Sequence, residues 1–296
     1  MTREFIIYVP QPAKGGSQVP LVVMLHGTTG DGLRFYNMSG WREKADQEGF
    51  IVVFPSALTH CFHEDENRDG DFNDRGEKKV TTKWSAGSLG ETLPLCTQDE
   101  IAQLTPQERA LADHPLADDM AFFQALFDFM ESNYSINSKR IYAAGHSNGA
   151  QMAGRLTVEM SDRLAAGAGN ESPLAVSGPS ARPISFLLTY GNEDDNFVRY
   201  NDGKPYLLDE SLIQLPQVKT LLVERWLAAL QLTDEYEYSE GTLFGERYVR
   251  FTYAGAENQF ELLFIDNLDH NYPNGRNHAV VAADVVWEFF QQYQLP

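Results

Sequence analysis

Residues 140–160 read RIYAAGHSNGAQMAGRLTVEM. The first part, Arg140 to Gly145, is a short apolar run ended by glycine, the pattern of a buried strand. The last part, Asn148 to Met160, carries apolar residues at helical spacing. Between them Gly145-His146-Ser147-Asn148-Gly149 matches G-x-S-x-G. The glycines matter because so tight a strand-to-helix turn leaves no room for side chains beside Ser147. A serine there projects its Oγ from the sheet edge at a helix N-terminus, whose dipole favours developing negative charge. A chance pentapeptide would have no reason to carry a strand on one side and a helix on the other.

Outward from this turn, strand-like and helix-like stretches alternate. Arg3 to Val9 opens the chain as a strand and stops at Pro10 and Pro12. Pro20 to Gly27 (PLVVMLHG) and Gly49 to Pro55 (GFIVVFP) read as buried strands, with a helix over Trp41 to Glu48. Leu116 to Tyr134 reads as a helix, Ile184 to Gly191 as a strand, and Pro216 to Leu230 as a helix with proline at its start. Arg247 to Asp266 holds two strand-like runs, and Ala279 to Tyr293 closes the chain as a helix. Such alternation predicts the α/β class, with a mostly parallel central sheet and helices on both faces. With no internal repeat and no linker, 1–296 reads as a single catalytic domain. One region breaks the alternation: Thr59 to Pro115 is long, polar and poor in periodicity. An insertion of that size is normally functional, or ordered by something else.

Composition narrows the function classes. Hydrophobic residues make up 43% and charged residues 22% of the 296, which excludes a mainly disordered or fibrous chain. Lys and Arg number 23 against 42 Asp and Glu, a formal net charge of −19. So acidic a surface repels phosphate backbones and anionic membranes, so neither nucleic acid nor a membrane is expected as a partner. Apolar runs such as Leu21 to Leu25 are far too short to span a bilayer. The opening MTREFIIYVP shows no basic segment followed by a long apolar stretch, leaving either an intracellular protein or a mature chain that has lost its leader.

A serine is a poor nucleophile without a base, and the base needs an acid to orient it. In folds built around such a turn the chain order is Ser, acid, His. Only His270 and His278 follow Ser147. His270 lies just after the strand-like Phe260 to Asp266, where a base on a strand-end loop belongs, whereas His278 suits a cap or the surface. The acid is sought after Ile184 to Gly191, where Glu193, Asp194 and Asp195 follow. Asp194 is the first choice and Asp195 the second. An oxyanion hole needs two backbone N–H groups, one from Asn148, after the nucleophile, and one from the loop His26 to Gly30, where Thr28 is the expected donor. His26 reads as structural.

Taken together these residues resemble the α/β-hydrolase serine esterases of the polyhydroxybutyrate-depolymerase and feruloyl-esterase group, also called esterase D-like. The matching stretches run nearly end to end: FIIYVP, PLVVMLHGTTG, SGWREKADQEGFIVVFPSA, KWSAG, DDMAFFQALFDFMESNYSINSKRIYAAGHSNGA, YGNEDD, and DHNYPNG before WEFF. The resemblance implies carboxylic-ester hydrolysis through an acyl-enzyme, with Ser147, Asp194 and His270 as triad and no organic cofactor. It implies substrates among feruloyl and aryl esters, acetylated glycans, short acyl esters and polyester oligomers. It also implies that Trp84, in KWSAG, borders the substrate pocket; packing under the long insertion is the other reading. His146 is placed at the pocket with it. Two features depart from the family. Asn267-Leu268-Asp269 stands where a Gly-rich run usually precedes the base, and a second Asp follows the acid motif. The group includes secreted members, so the expected location is secreted or periplasmic, with the cytoplasm as the alternative. An acyltransferase on the same scaffold, or a binding protein retaining a hydrolase shell, are the competing functions.

Within the insertion, Asp65 to Asn73 reads D-x-N-x-D-G-D-x-N. That matches the first half of a calcium loop, with Asp65, Asn67 and Asp69 binding by side chain, Asp71 by its carbonyl, and Asn73 directly or through water. Gly76 stands at the twelfth position in place of Glu, so Asp74 or Glu77 would have to supply the last carboxylate. A structural calcium ion is expected, because like charges this close repel unless a cation offsets them; a solvated Asx-rich turn is the alternative. Cys61 and Cys96 bracket the loop, either bridged or as buried thiols. No second Cys/His pair accompanies Cys61 and His63, which argues against a catalytic zinc.

Overall fold

The computed structural model describes residues 2–65 and 77–296. The strands are β1 (Phe5–Tyr8), β2 (Val19–Leu25), β3 (Ile51–Pro55), β4 (Thr59–His63), β5 (Lys78–Thr82), β6 (Ile136–His146), β7 (Ala166–Asn170), β8 (Ser185–Gly191), β9 (Glu237–Leu243), β10 (Glu246–Ala254) and β11 (Gln259–Ile265). Nine of these form one sheet in the order β1-β3-β2-β6-β7-β8-β11-β10-β9. The six strands from β3 to β11 along that order run parallel. β1 at one edge and the β10–β9 pair at the other are antiparallel.

The burial follows from this arrangement. Every residue of β2, β3 and β8 is buried, because a parallel strand covered on both faces must be apolar on both. β10 instead alternates in burial along most of its length, as a strand with one wet face does. One face of the sheet is covered by helices Asp119–Asn133 and Asn148–Glu159 and by the segment 216–230, with Phe123, Met152 and Trp226 in the core between. The other face is covered by helices Trp41–Glu48 and Ala282–Phe290, where Phe50 stacks on Trp287 at 4.1 Å and Tyr142 on Phe290 at 4.7 Å. No helix among the described residues is long and apolar enough to cross a membrane.

Several features differ from the sequence expectation, the strand β9 among them. β7 reads AGAGN and has neither the β-branched nor the aromatic residues that mark a strand. Its small residues are required by packing: a Cβ on Gly167 would lie 1.9 Å from Thr157 Oγ1 of helix Asn148–Glu159. The segment 216–230 is helical throughout but changes pitch, with a π turn over Lys219–Val223 between α-helical Pro216–Val218 and Glu224–Leu230. The insertion is not one long loop. β4 and β5 pair as a hairpin from Thr59↔Thr82 to His63↔Lys78, and two helices follow, Gln98–Ala102 and Pro106–Ala112. Each helix starts on a capping box, Thr97 with Glu100 and Thr105 with Glu108. These pieces are too short to show a period. Cys61 and Cys96 are disulfide-bonded, tying the hairpin to the segment that leads into the first of these helices, beside a His63 Nε2–Glu100 Oε1 contact at 2.9 Å.

Of the expected calcium ligands, Asn67, Asp69, Asp71 and Asn73 lie outside the described residues. Asp65 lies two residues past the end of β4, and Glu77 begins the return into β5, with Glu64 N–H donating to Glu77 O at 2.9 Å.

Candidate active site

β6 ends at His146, and helix Asn148–Glu159 begins one residue beyond Ser147. Ser147 has a positive φ of 52° with ψ −123°, a strained conformation of the sort found at functional turns. Its N–H is held by Asn170 O of β7 at 2.8 Å. The motif glycines are required by close backbone approach. A Cβ on Gly149 would stand 2.4 Å from Leu25 O, and one on Gly145 would stand 2.1 Å from Gly149 O. The turn therefore presses its backbone against β2 and lifts the serine side chain off the sheet end.

His270, on the loop after β11, reaches over this turn. Its Nε2 lies 2.9 Å from Ser147 Oγ, and its Nδ1 lies 2.8 Å from Asp194 Oδ2. Asp194 is fully buried after β8 and caps the short helix Asp195–Val198, accepting from Asn196 N–H at 2.8 Å through its other oxygen. Glu193 and Asp195 point to solvent. The structure thus separates the three acids by burial and contact. An ionised carboxylate holding Nδ1–H leaves Nε2 free to accept the serine proton. His278 instead binds Asp266 O and Val280 N–H, away from the serine.

Thr28 and Asn148 both border the crevice beside Ser147. Two buried rings hold their segments. His26 sits between Gly27 O, 2.7 Å from Nδ1, and Ala57 N–H, 2.9 Å from Nε2. Burial lowers its pKa to about 4, so the ring is neutral. Trp84 does not border the crevice, contrary to what the resemblance implies. It is fully buried below it, its indole N–H donating to His26 O at 2.9 Å and its backbone N–H to Asn148 Oδ1 at 2.6 Å. A buried indole must place its one donor, and here that need ties the Thr28 loop to the start of the helix after Ser147. Ser85 continues the tie by donating to Asp119 Oδ2 from backbone and hydroxyl.

His146 is turned to the other side of Ser147, where its Nε2 lies 2.9 Å from Glu171 Oε2. Glu171 had no signal in the sequence, since it follows a strand of Ala and Gly. The crevice has two lobes that meet at Ser147, Thr28 and His270. The larger, about 280 Å³, is walled by Lys83, Tyr190, Phe197, Arg199, Tyr200 and the π-turn residues Leu221 and Leu222. The smaller, about 200 Å³, is walled by Arg34, Phe35, Met38, His146 and Tyr272. Two groups of possible metal ligands occur among the described residues. In one, His63-Cys96-Glu100, the sulfur is in the disulfide; in the other, His146-Glu171-His270, the base is already engaged by Ser147 and Asp194. Neither donor set fits a catalytic metal.

No family model matches the chain. It is 24% identical over 299 residues to feruloyl esterase B of Piromyces equi, covering 99% of this chain and 46% of that protein. It is 23% identical over 194 residues to a bifunctional acetylxylan esterase/xylanase of Neocallimastix patriciarum, covering 65% of this chain and 22% of that protein. The chain therefore spans less than half the length of either relative. Among solved structures, acetyl xylan esterase from Aspergillus awamori matches with a TM-score of 0.56 at 16% identity, covering 98% of this chain and 94% of that one. That likeness, with the sheet described above, shows the α/β-hydrolase fold.

Proposed function

We propose that the protein is a serine carboxylesterase working through an acyl-enzyme. The observation that carries this reading is the unbroken series Ser147 Oγ, His270 Nε2, His270 Nδ1, Asp194 Oδ2 at the end of the sheet. His270 takes the serine proton as Oγ attacks the ester carbonyl, then gives it to the departing alcohol. Asp194 holds the ring's orientation and stabilises its charged form. The amides of Thr28 and Asn148 receive the oxyanion. Water, deprotonated by His270, then releases the acid. The names of the relatives support feruloyl esters and acetylated xylan as substrates, and the aromatic wall of Tyr190, Phe197 and Tyr200 suits an aryl acid. Short acyl esters and polyester oligomers remain in the same class.

The test is hydrolysis of a C2 to C12 p-nitrophenyl series, a feruloyl ester and acetylated xylan by wild type and Ser147→Ala. Turnover lost in the variant supports the reading, and turnover equal in both sinks it. Product partition with added alcohol tells hydrolysis from acyl transfer.

Two further parts of the reading concern the insertion. Secretion is supported by the disulfide, which persists in oxidising compartments. Calcium binding by Asp65, Asn67, Asp69, Asp71 and Asn73 is supported by their alternate spacing alone. A melting temperature unmoved by chelator, with no ion in native mass spectra, would remove calcium from the account.

A further inference from the structure

Glu171 lies immediately past β7, its backbone left-handed at φ 63° and its N–H bonded to Thr189 O at 2.8 Å. A non-glycine residue in that region is kept there by its surroundings. The side chain is completely buried. Oε2 is 2.9 Å from His146 Nε2 and 3.8 Å from His270 Nδ1, and Oε1 has no hydrogen-bond partner among the described residues. Asp194 and Tyr190 face it from β8 and its loop, Asp269 and His270 from the loop after β11, and Arg34 faces His146 from helix Gly32–Met38.

Two carboxyl groups thus share one imidazole. Asp194 has the shorter contact and a backbone N–H donor, so it is the one placed to hold the His270 Nδ1–H. A second charge beside it, on a side chain buried from solvent, would be repelled. Burial, reinforced by Asp194 and Asp269, raises Glu171 well above the ordinary carboxyl range. Burial and the neighbouring His270 lower His146 to about 3. A protonated carboxyl has to donate, and a neutral imidazole has a nitrogen that accepts. The His146 ring also packs 5.3 Å from the His270 ring.

We infer that Glu171 and His146 are positioning residues for His270. The protonated carboxyl donates its Oε2–H to His146 Nε2, and the ring so oriented braces His270 over Ser147. The inference rests on the reading of His270 as the base of a working triad. Its consequence is that His270 faces one formal negative charge instead of two.

The test uses Glu171→Ala and Glu171→Gln with p-nitrophenyl acetate. Loss of the brace in the Ala variant lowers kcat about 10- to 100-fold with KM little changed. Gln, whose amide donates the same bond, recovers most of that loss and leaves the acid limb of kcat/KM at the wild-type pH. If Glu171 were charged, Gln would move that limb down by about one pH unit or more. That movement, or a wild-type kcat in the Ala variant, overturns the inference. Infrared difference spectra of wild type minus Glu171→Gln, at neutral pH, keep the inference testable should the Ala variant not fold. A carboxylic-acid C=O band is expected there, and its absence overturns the proposal. The band is read without turnover. A wild-type protein that hydrolyses no ester and takes no fluorophosphonate at Ser147 therefore counts against the esterase reading, while the carboxyl proton is judged separately.

Discussion

The floor of the crevice and the insertion beside it are held together in different ways. The floor is backbone against backbone, Gly149 on β2 and Gly145 on Gly149, with Gly167 pressed under the Thr157 side chain. The insertion is a set of separable ties: a disulfide, a His63–Glu100 side-chain contact, two capping boxes and the anchors of Trp84 and Ser85. The floor tolerates no added atom, so its geometry is all or nothing. The insertion can lose one tie and keep the others, so its damage should be graded.

The largest effect should come from the chemistry mounted on the floor. Ser147→Ala should abolish ester turnover, and Asp194→Asn should lower kcat by about 10³- to 10⁴-fold, while Asp195→Asn stays within about twofold. Steady-state kinetics decide this, and an active Asp194→Asn would break the assignment of the acid. Next, Gly149→Ala puts a methyl 2.4 Å from Leu25 O and should destabilise the protein by about 3 kcal/mol or more in urea unfolding. A near-normal midpoint would show that the floor yields more than its contacts imply. Removing the Cys61–Cys96 bond by Ser substitution should cost about 2–4 kcal/mol. The calorimetric melting temperature should fall, with kcat kept within a few-fold at low temperature; loss of kcat in step with the bond would show that the two regions are one unit.

The smallest effect is a slope with pH. Burial lowers His26 and His60 to about 4 and His146 to about 3. Below about pH 6.5 the unfolded chain binds protons that the native chain refuses. Stability should therefore fall as pH drops from about 6.5 toward 4, by up to about 1.4 kcal/mol per pH unit for each ring. His60 belongs to the insertion, and the other two to the crevice. His60→Gln should flatten the urea-midpoint slope by one ring's share and leave turnover alone. If the slope is unchanged, His60 is not held neutral.

The parts easiest to read from sequence were those where one residue type serves one need. β2 and β8 are continuous apolar runs because both faces are covered, and Ser147, His270 and Asp194 follow from chain order and strand ends. β7 was hidden because packing, not strand propensity, chose its alanines and glycines. Glu171 was hidden with it. β9 was missed because an edge strand exposed to water carries no apolar alternation. The capping boxes Thr97/Glu100 and Thr105/Glu108 were visible in the sequence and would have shown both short helices of the insertion. The burial of Trp84 could not be read, since a tryptophan in a short loop segment suits a pocket wall and a buried brace equally well.

The two lobes of the crevice draw their walls from different stretches of chain. Residues 34–38 and 271–272 border the smaller, while Pro173, Tyr190 to Tyr200 and Leu221 to Leu222 border the larger. They share a floor at Ser147 and His270. An ester has two halves, and if the proposed reading holds and each lobe takes one of them, the segments that meet one half can drift, lengthen or be exchanged without touching those that meet the other. On that reading, a lineage carrying this architecture could change the acid it accepts while keeping the alcohol, or the reverse, by ordinary loop variation.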